Sequence, residues 1–129
     1  MAVVPVETQS PDAASFVEAA AKLLVDRHCQ DVLLLDVAGL SQVSDFVLIG
    51  TGTSDRQMKS IADELADFGK DRGFPAFRTS VDTGATWIVI DFVTIIVHIF
   101  EPDRRAYYDL EDLWSDARRI DVSVNTSAS

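Results

Sequence analysis

The chain has 129 residues, with 47% in the hydrophobic set and 25% charged, which fits one folded domain and excludes a disordered polyelectrolyte. Eleven Lys and Arg stand against twenty-one Asp and Glu, a formal charge of −10; this repels bare phosphate backbones, argues for little direct nucleic-acid binding, and serves either solubility or a basic protein partner. The single Cys29 rules out an internal disulfide and points to a reducing, cytoplasmic setting, and no apolar stretch approaches the ~20 residues of a membrane-crossing helix.

Residues 1–10 carry neither a basic end nor an apolar core, so they are expected to be a loose N-terminus rather than a targeting signal. Ser10-Pro11-Asp12 combines an N-cap, a first-turn proline and an acid suited to the helix dipole. With Phe16, Ala19, Ala20, Leu23 and Leu24 recurring at helical spacing, the pattern predicts a helix over 11–27. Residues 32–37 (VLLLDV) and 46–49 (FVLI) are short apolar runs ended by glycines. They read as strands of a sheet covered on both faces. Ser54-Asp55-Arg56-Gln57 has the S-x-x-Q form of a capping box and starts a helix whose apolar stripe is Met58, Ile61, Ala62, Leu65 and Phe68. Gly73 and Pro75 end it.

Residues 77–81 form a weaker strand candidate before the turn-like Asp82-Thr83-Gly84. Residues 87–92 (WIVIDF) and 95–100 (IIVHIF) are the strongest strand signals, although Val93-Thr94 is poor chemistry for the two-residue turn between them. Pro102 opens a last helix with Tyr107, Leu110, Leu113 and Trp114 on one side, and residues 118–129 read as a loose tail. The succession of elements is α/β: a mixed β-sheet flanked by α-helices, in one domain over 11–117.

Four groupings bear on chemistry. Gly50-Thr51-Gly52-Thr53-Ser54 lies before a helix N-terminus and reads as a plain turn or an anion cradle, without the Lys-Ser/Thr ending of a phosphate loop. Cys29 and the two histidines, His28 and His98, lack a nucleophile signature and the spacing of a zinc site, so Cys29 is expected to be a half-buried small residue, with no metal or cofactor. Asp91 is placed to hydrogen-bond His98 across the hairpin, as a structural pair or a surface recognition pair. The last helix interleaves Asp109, Glu111, Asp112 and Asp116 with Leu110, Leu113 and Trp114. That is either an ordinary amphipathic helix or, with Trp87, Tyr107 and Tyr108, an acidic aromatic interface for a basic partner.

The segments DVLLLDVAGLSQVSDFVLIGTGTSDRQMKSIADEL, WIVIDF, VHIF and YYDLEDLWSDA resemble, in order and spacing, the ribosomal silencing factor (Iojap-like, RsfS) family over about 16–117. The resemblance implies a nucleotidyltransferase-like α/β fold without established catalytic activity, hence not an enzyme. It implies binding to the large ribosomal subunit through its protein number fourteen, which blocks joining of the small subunit and represses translation, and it adds a possible homodimer. By motif, Trp87, His98, Tyr108, Leu110 and Glu111 form the partner-binding face, with Asp91 beside them. Where the family carries a D-Y-G-D turn, this chain reads Asp91-Phe92-Val93-Thr94. A nucleotidyl-transfer enzyme is the alternative; it needs paired carboxylates for Mg²⁺, and the strands offer only Asp36 and Asp91.

Overall fold

In the computed structural model, described over residues 13–122, six strands share one sheet: β1 (Gln30–Asp36), β2 (Phe46–Thr51), β3 (Arg78–Val81), β4 (Trp87–Asp91), β5 (Ile95–Phe100) and β6 (Arg118–Ile120). Their order is β3-β4-β5-β2-β1-β6. Among the described residues β2 and β5 run parallel and the other neighbours antiparallel, so the sheet is mixed and the fold α/β. Helices α1 (Ala13–Asp26) and α2 (Asp55–Asp71) lie on one face, and the short α3 (Pro102–Tyr108) and α4 (Leu110–Leu113) serve the other. The expected N-cap of α1 and both chain ends lie outside the described residues.

Residues opposite one another in the ladders share a face. The row Thr79, Ile90, Val97, Leu48, Leu34 and Ile120 faces the two long helices. Phe16, Val17, Ala20, Leu24, Met58, Ile61 and Leu65 fill that side of the core. The next row, Ser80, Val89, His98, Ile49 and Leu33, faces the other way. There, Leu35, Val37, Val47, Ile49 and Phe100 form a smaller cluster against Leu110 and Trp114. The double-sided burial read from residues 32–37 and 46–49 therefore holds.

Local chemistry sets the ends of α2. Ser54 Oγ accepts the N–H of Gln57 at 3.1 Å, while Gln57 Oε1 accepts from Thr53 N at 2.7 Å, one residue earlier than a standard capping box. Gln57 Nε2 also donates to the carbonyl of Arg27 at 2.9 Å, tying α2 to the end of α1. At the other end Gly73 adopts φ +88°, Phe74 N donates to Gly69 O at 2.7 Å and Gly73 N to Lys70 O at 3.3 Å. This is a Schellman ending, as Gly73 implies. Gly69 itself admits the close approach of Phe74 and Phe92, since a Cβ there would stand 2.5 Å from the Phe74 carbonyl oxygen.

Two expectations are corrected. The last helix is not continuous: Asp109 turns left-handed at φ +47° between α3 and α4. The break leaves Tyr107 and Leu113 exposed while Leu110 and Trp114 reach the sheet, so the four do not share one stripe. Arg118–Ile120, expected within a loose tail, instead pair with β1, and Arg118 donates to Asp36 at 3.0 Å. Two arginines in three residues give no strand pattern; the open edge of β1 supplies the ladder. Ile120 and Val122 pack against the helix-side core.

Candidate partner-binding face

The face opposite α1 and α2 is only partly covered. Over β4 and β5 it leaves Trp87, Val89, Asp91, Ile96 and His98 half-buried, alternating with the buried Ile88, Ile90, Val97 and Ile99. A β-strand with one buried and one wet face produces this alternation.

Trp87 opens β4, and the preceding turn fixes its backbone. One carboxylate oxygen of Asp82 accepts the N–H groups of Thr86 at 2.7 Å and Trp87 at 2.8 Å, and the other accepts the Thr86 hydroxyl. The Thr86 hydroxyl, helped by those two amides, holds the Asp82 carboxyl below its usual range. Arg104 Nε donates to the Thr86 hydroxyl at 3.2 Å, linking the turn to α3. The Trp87 ring then stacks on buried Phe100 at 5.0 Å and lies 4.6 Å from the ring of Tyr108. Its indole N–H donates to His98 Nδ1 at 3.2 Å. Burial pushes the His98 pKa down to about 4, so the imidazole is neutral near pH 7.

Tyr108 closes α3, and Arg105 holds that helix over the sheet. The Arg105 guanidinium donates to Glu111 at 2.9 Å, to the Thr51 hydroxyl at 2.7 Å and to the Asp31 carbonyl at 2.7 Å, joining α4, the end of β2 and the start of β1. A planar fork of fixed donors suits such three-way bonding better than a lysine does.

The structure brings Trp87, His98 and Tyr108 together. Asp91 lies on the same face, but the pairing with His98 does not form. Val89 is the residue opposite His98, and Asp91 is opposite Ile96 and accepts the N–H of Val93 at 2.7 Å. Leu110 packs in the smaller core cluster. Glu111 is turned inward to Arg105, with its second oxygen enclosed and unpaired. The exposed acids of α3, α4 and the residues after them are Asp103, Asp109, Asp112 and Asp116. Phe100, Arg105 and Asp82 were missed as site-forming residues. Phe100 was readable, since it alternates in phase with His98 along β5, whereas the partners of Arg105 come from distant segments.

The groups behind a catalytic reading are engaged otherwise. In the Gly50 to Ser54 turn, Gly52 N donates to Phe100 O at 2.8 Å and Thr53 N to Gln57, and the following amides of Gln57 and Met58 are taken by Ser54. It is a strand-to-helix turn with these donors spent on the chain itself. Asp36 and Asp91 fall on opposite faces of the sheet, because their ladder partners Phe46 and Ile96 do. Cys29 is buried in the helix-side core, which pushes its thiol up to about 11, and His98 is on the far face.

Comparison with known proteins gives a match of residues 9–129 to the family described as ribosomal silencing factor during starvation. A Bacillus subtilis protein named ribosomal silencing factor RsfS is 37% identical over 84% of this chain and 92% of its own length. A mouse protein named mitochondrial assembly of ribosomal large subunit protein 1 is 27% identical over 72% of this chain and 42% of its own length. A crystal structure of a Chromobacterium violaceum protein superposes with a TM-score of 0.76 at 25% identity, covering 91% of this chain and 97% of the other.

Proposed function

The chain belongs to the ribosomal silencing factor family, and from this we propose that it binds the large ribosomal subunit through protein number fourteen, excludes the small subunit by occupying the joining surface, and so represses translation in the cytoplasm. The observation that carries this reading is the cluster of half-buried Trp87 and His98, stacked on Phe100, with exposed Tyr108 tilted against Trp87 and exposed acids beside it. Large aromatics on a rigid sheet are the residue types that anchor interfaces, and surrounding acids select a basic protein surface. A chain with a charge of −10 approaches the ribosome more readily through a basic protein than through bare RNA. The mouse relative, named for assembly of a large ribosomal subunit, supports that subunit over the small one. Steric exclusion asks for area and affinity rather than a reacting group, so the action is noncatalytic.

Cosedimentation with separated subunits tests the proposal. Pelleting with the large subunit alone is expected, followed by loss of subunit joining when the small subunit is added; equal pelleting with both subunits, or with neither, overturns it. Self-association is a subsidiary proposal, for which the exposed edge of β3 supplies unpaired backbone groups. A sizing column run across protein concentration reads it.

A further inference from the structure

An indole N–H can only donate, so the 3.2 Å contact from Trp87 fixes His98 Nδ1 as the acceptor. A neutral imidazole with Nδ1 unprotonated carries its proton on Nε2. The tautomer therefore follows from the neighbour. His98 Nε2 meets no acceptor among the described residues, and it is not an enclosed atom. The immediate neighbours of the imidazole are apolar: the ring centroids of Trp87 and Phe100 stand 6.0 Å from that of His98, and Val89 and Ile49 flank His98 in the ladders. Any partner that covers this face strips water from one N–H in an apolar setting, and a donor left unpaired there weakens binding.

We propose that the His98 Nε2–H is the specificity-determining donor of this face and that the protein partner meets it with an uncharged acceptor oxygen. The proposal rests on the reading of the face as the docking surface and adds the chemistry that must sit at its centre. A neutral acceptor is favoured over a carboxylate or phosphate because Asp91 shares the face and Asp109, Asp112 and Asp116 are exposed on the adjoining segment. A partner with a methyl group or an anion at this point is discriminated against, as sites built around one polar group reject ligands that leave it unpaired.

The test compares large-subunit binding by the full chain and by His98→Gln, His98→Asn and His98→Phe, with Tyr108→Ala as a control for the face and circular dichroism melts for folding. The terminal amide of Gln reaches the place of Nε2, and that of Asn the place of Nδ1. His98→Phe and His98→Asn are expected to bind about tenfold more weakly or worse, and His98→Gln to recover most of the loss. With a neutral acceptor, the ratio of wild-type to His98→Phe affinity stays constant between about 0.05 and 0.3 M salt. Equal losses in all three variants make the residue a packing group and overturn the proposal, and a salt-dependent ratio overturns the neutral acceptor. Wild-type binding by His98→Phe together with weak binding by Tyr108→Ala overturns the role of His98 and leaves the face standing. Wild-type binding by both removes the face itself.

Discussion

The carboxylate of Asp91 accepts the backbone N–H of Val93 at 2.7 Å, and Val93 stands at φ +73°. Thr94 N donates to Phe92 O at 2.8 Å and Phe92 N to Ile95 O at 2.9 Å, so the chain reverses tightly around a β-branched residue in the left-handed region. Such a residue is held there at a cost of order 1–3 kcal/mol, and Asp91 helps to hold it. A glycine at that place relieves the strain but adds chain entropy to the unfolded state.

Val93→Gly is therefore expected to stabilise the protein by about 1 kcal/mol, seen as a higher melting temperature. Val93 is 57% exposed, so little packing is lost with its side chain. Asp91→Ala is expected to lower the melting temperature by removing the acceptor of the Val93 N–H. A lower melting temperature in Val93→Gly means that the strain argument fails.

Glu111 and Arg105 form a partly buried pair, with side-chain exposures of 28% and 12%. Removing the carboxylate leaves a guanidinium enclosed with one partner fewer. Glu111→Lys is thus expected to cost about 2 kcal/mol or more in stability and to loosen α3 and α4, rather than to act as a surface charge change that only slows association. Arg105→Ala should cost at least as much, since it also releases Thr51 and Asp31. Urea unfolding of the two single variants and the double variant measures the coupling. Additive effects of the two changes contradict the pairing.

The strands and the two long helices were legible because each signal is local: alternation in 87–92 and 95–100, the Ser54 and Gln57 cap, the Gly73 stop. Trp87, His98 and Tyr108 were legible as a group through the resemblance. The false pairing of Asp91 with His98 came from ignoring register, since a two-residue turn at Val93-Thr94 places Val89 opposite His98. The break at Asp109 was hidden because helical periodicity continues across it, and a single left-handed residue leaves the apolar spacing nearly intact. That break is what sends Leu110 inward and sets Glu111 against Arg105. The strand at Arg118–Ile120 exists only because β1 has an edge to offer.

His98 gives the fold a defined response to acid. Its pKa is 6.5 when free and about 4 in the fold, so between those values the unfolded chain binds the extra proton. Stability is then fully present above about pH 6.5 and declines as pH drops toward about 4. The Asp82 carboxyl, held below its ordinary 3.8, adds its own loss only at lower pH. Chemical denaturation at intervals from pH 7 to pH 4 is expected to show the decline, and His98→Gln to flatten it. An equal slope in the variant assigns the acid response to other groups.

The rings of Trp87 and Tyr108 meet at a tilt, 4.6 Å apart, yet the two residues are embedded differently, and this separates their predicted effects. Trp87 rests on fully buried Phe100 and belongs to the smaller core cluster, whereas Tyr108 is 45% exposed at the end of α3. Trp87→Ala removes ring contacts with Phe100 and the donor to His98, so it is expected to cost about 3 kcal/mol of stability as well as affinity. Tyr108→Ala removes mainly outer surface and should keep the melting temperature within a few degrees. If Tyr108 anchors the partner, its truncation weakens large-subunit binding about thirtyfold, the scale of a central aromatic anchor worth ~2 kcal/mol. Cosedimentation beside thermal melts distinguishes the cases: a folded Tyr108→Ala protein that still binds fully removes the anchor role. A collapse in its melting temperature instead shows that the exposed ring holds α3 against Trp87, and the affinity of the face then rests on Trp87 and His98.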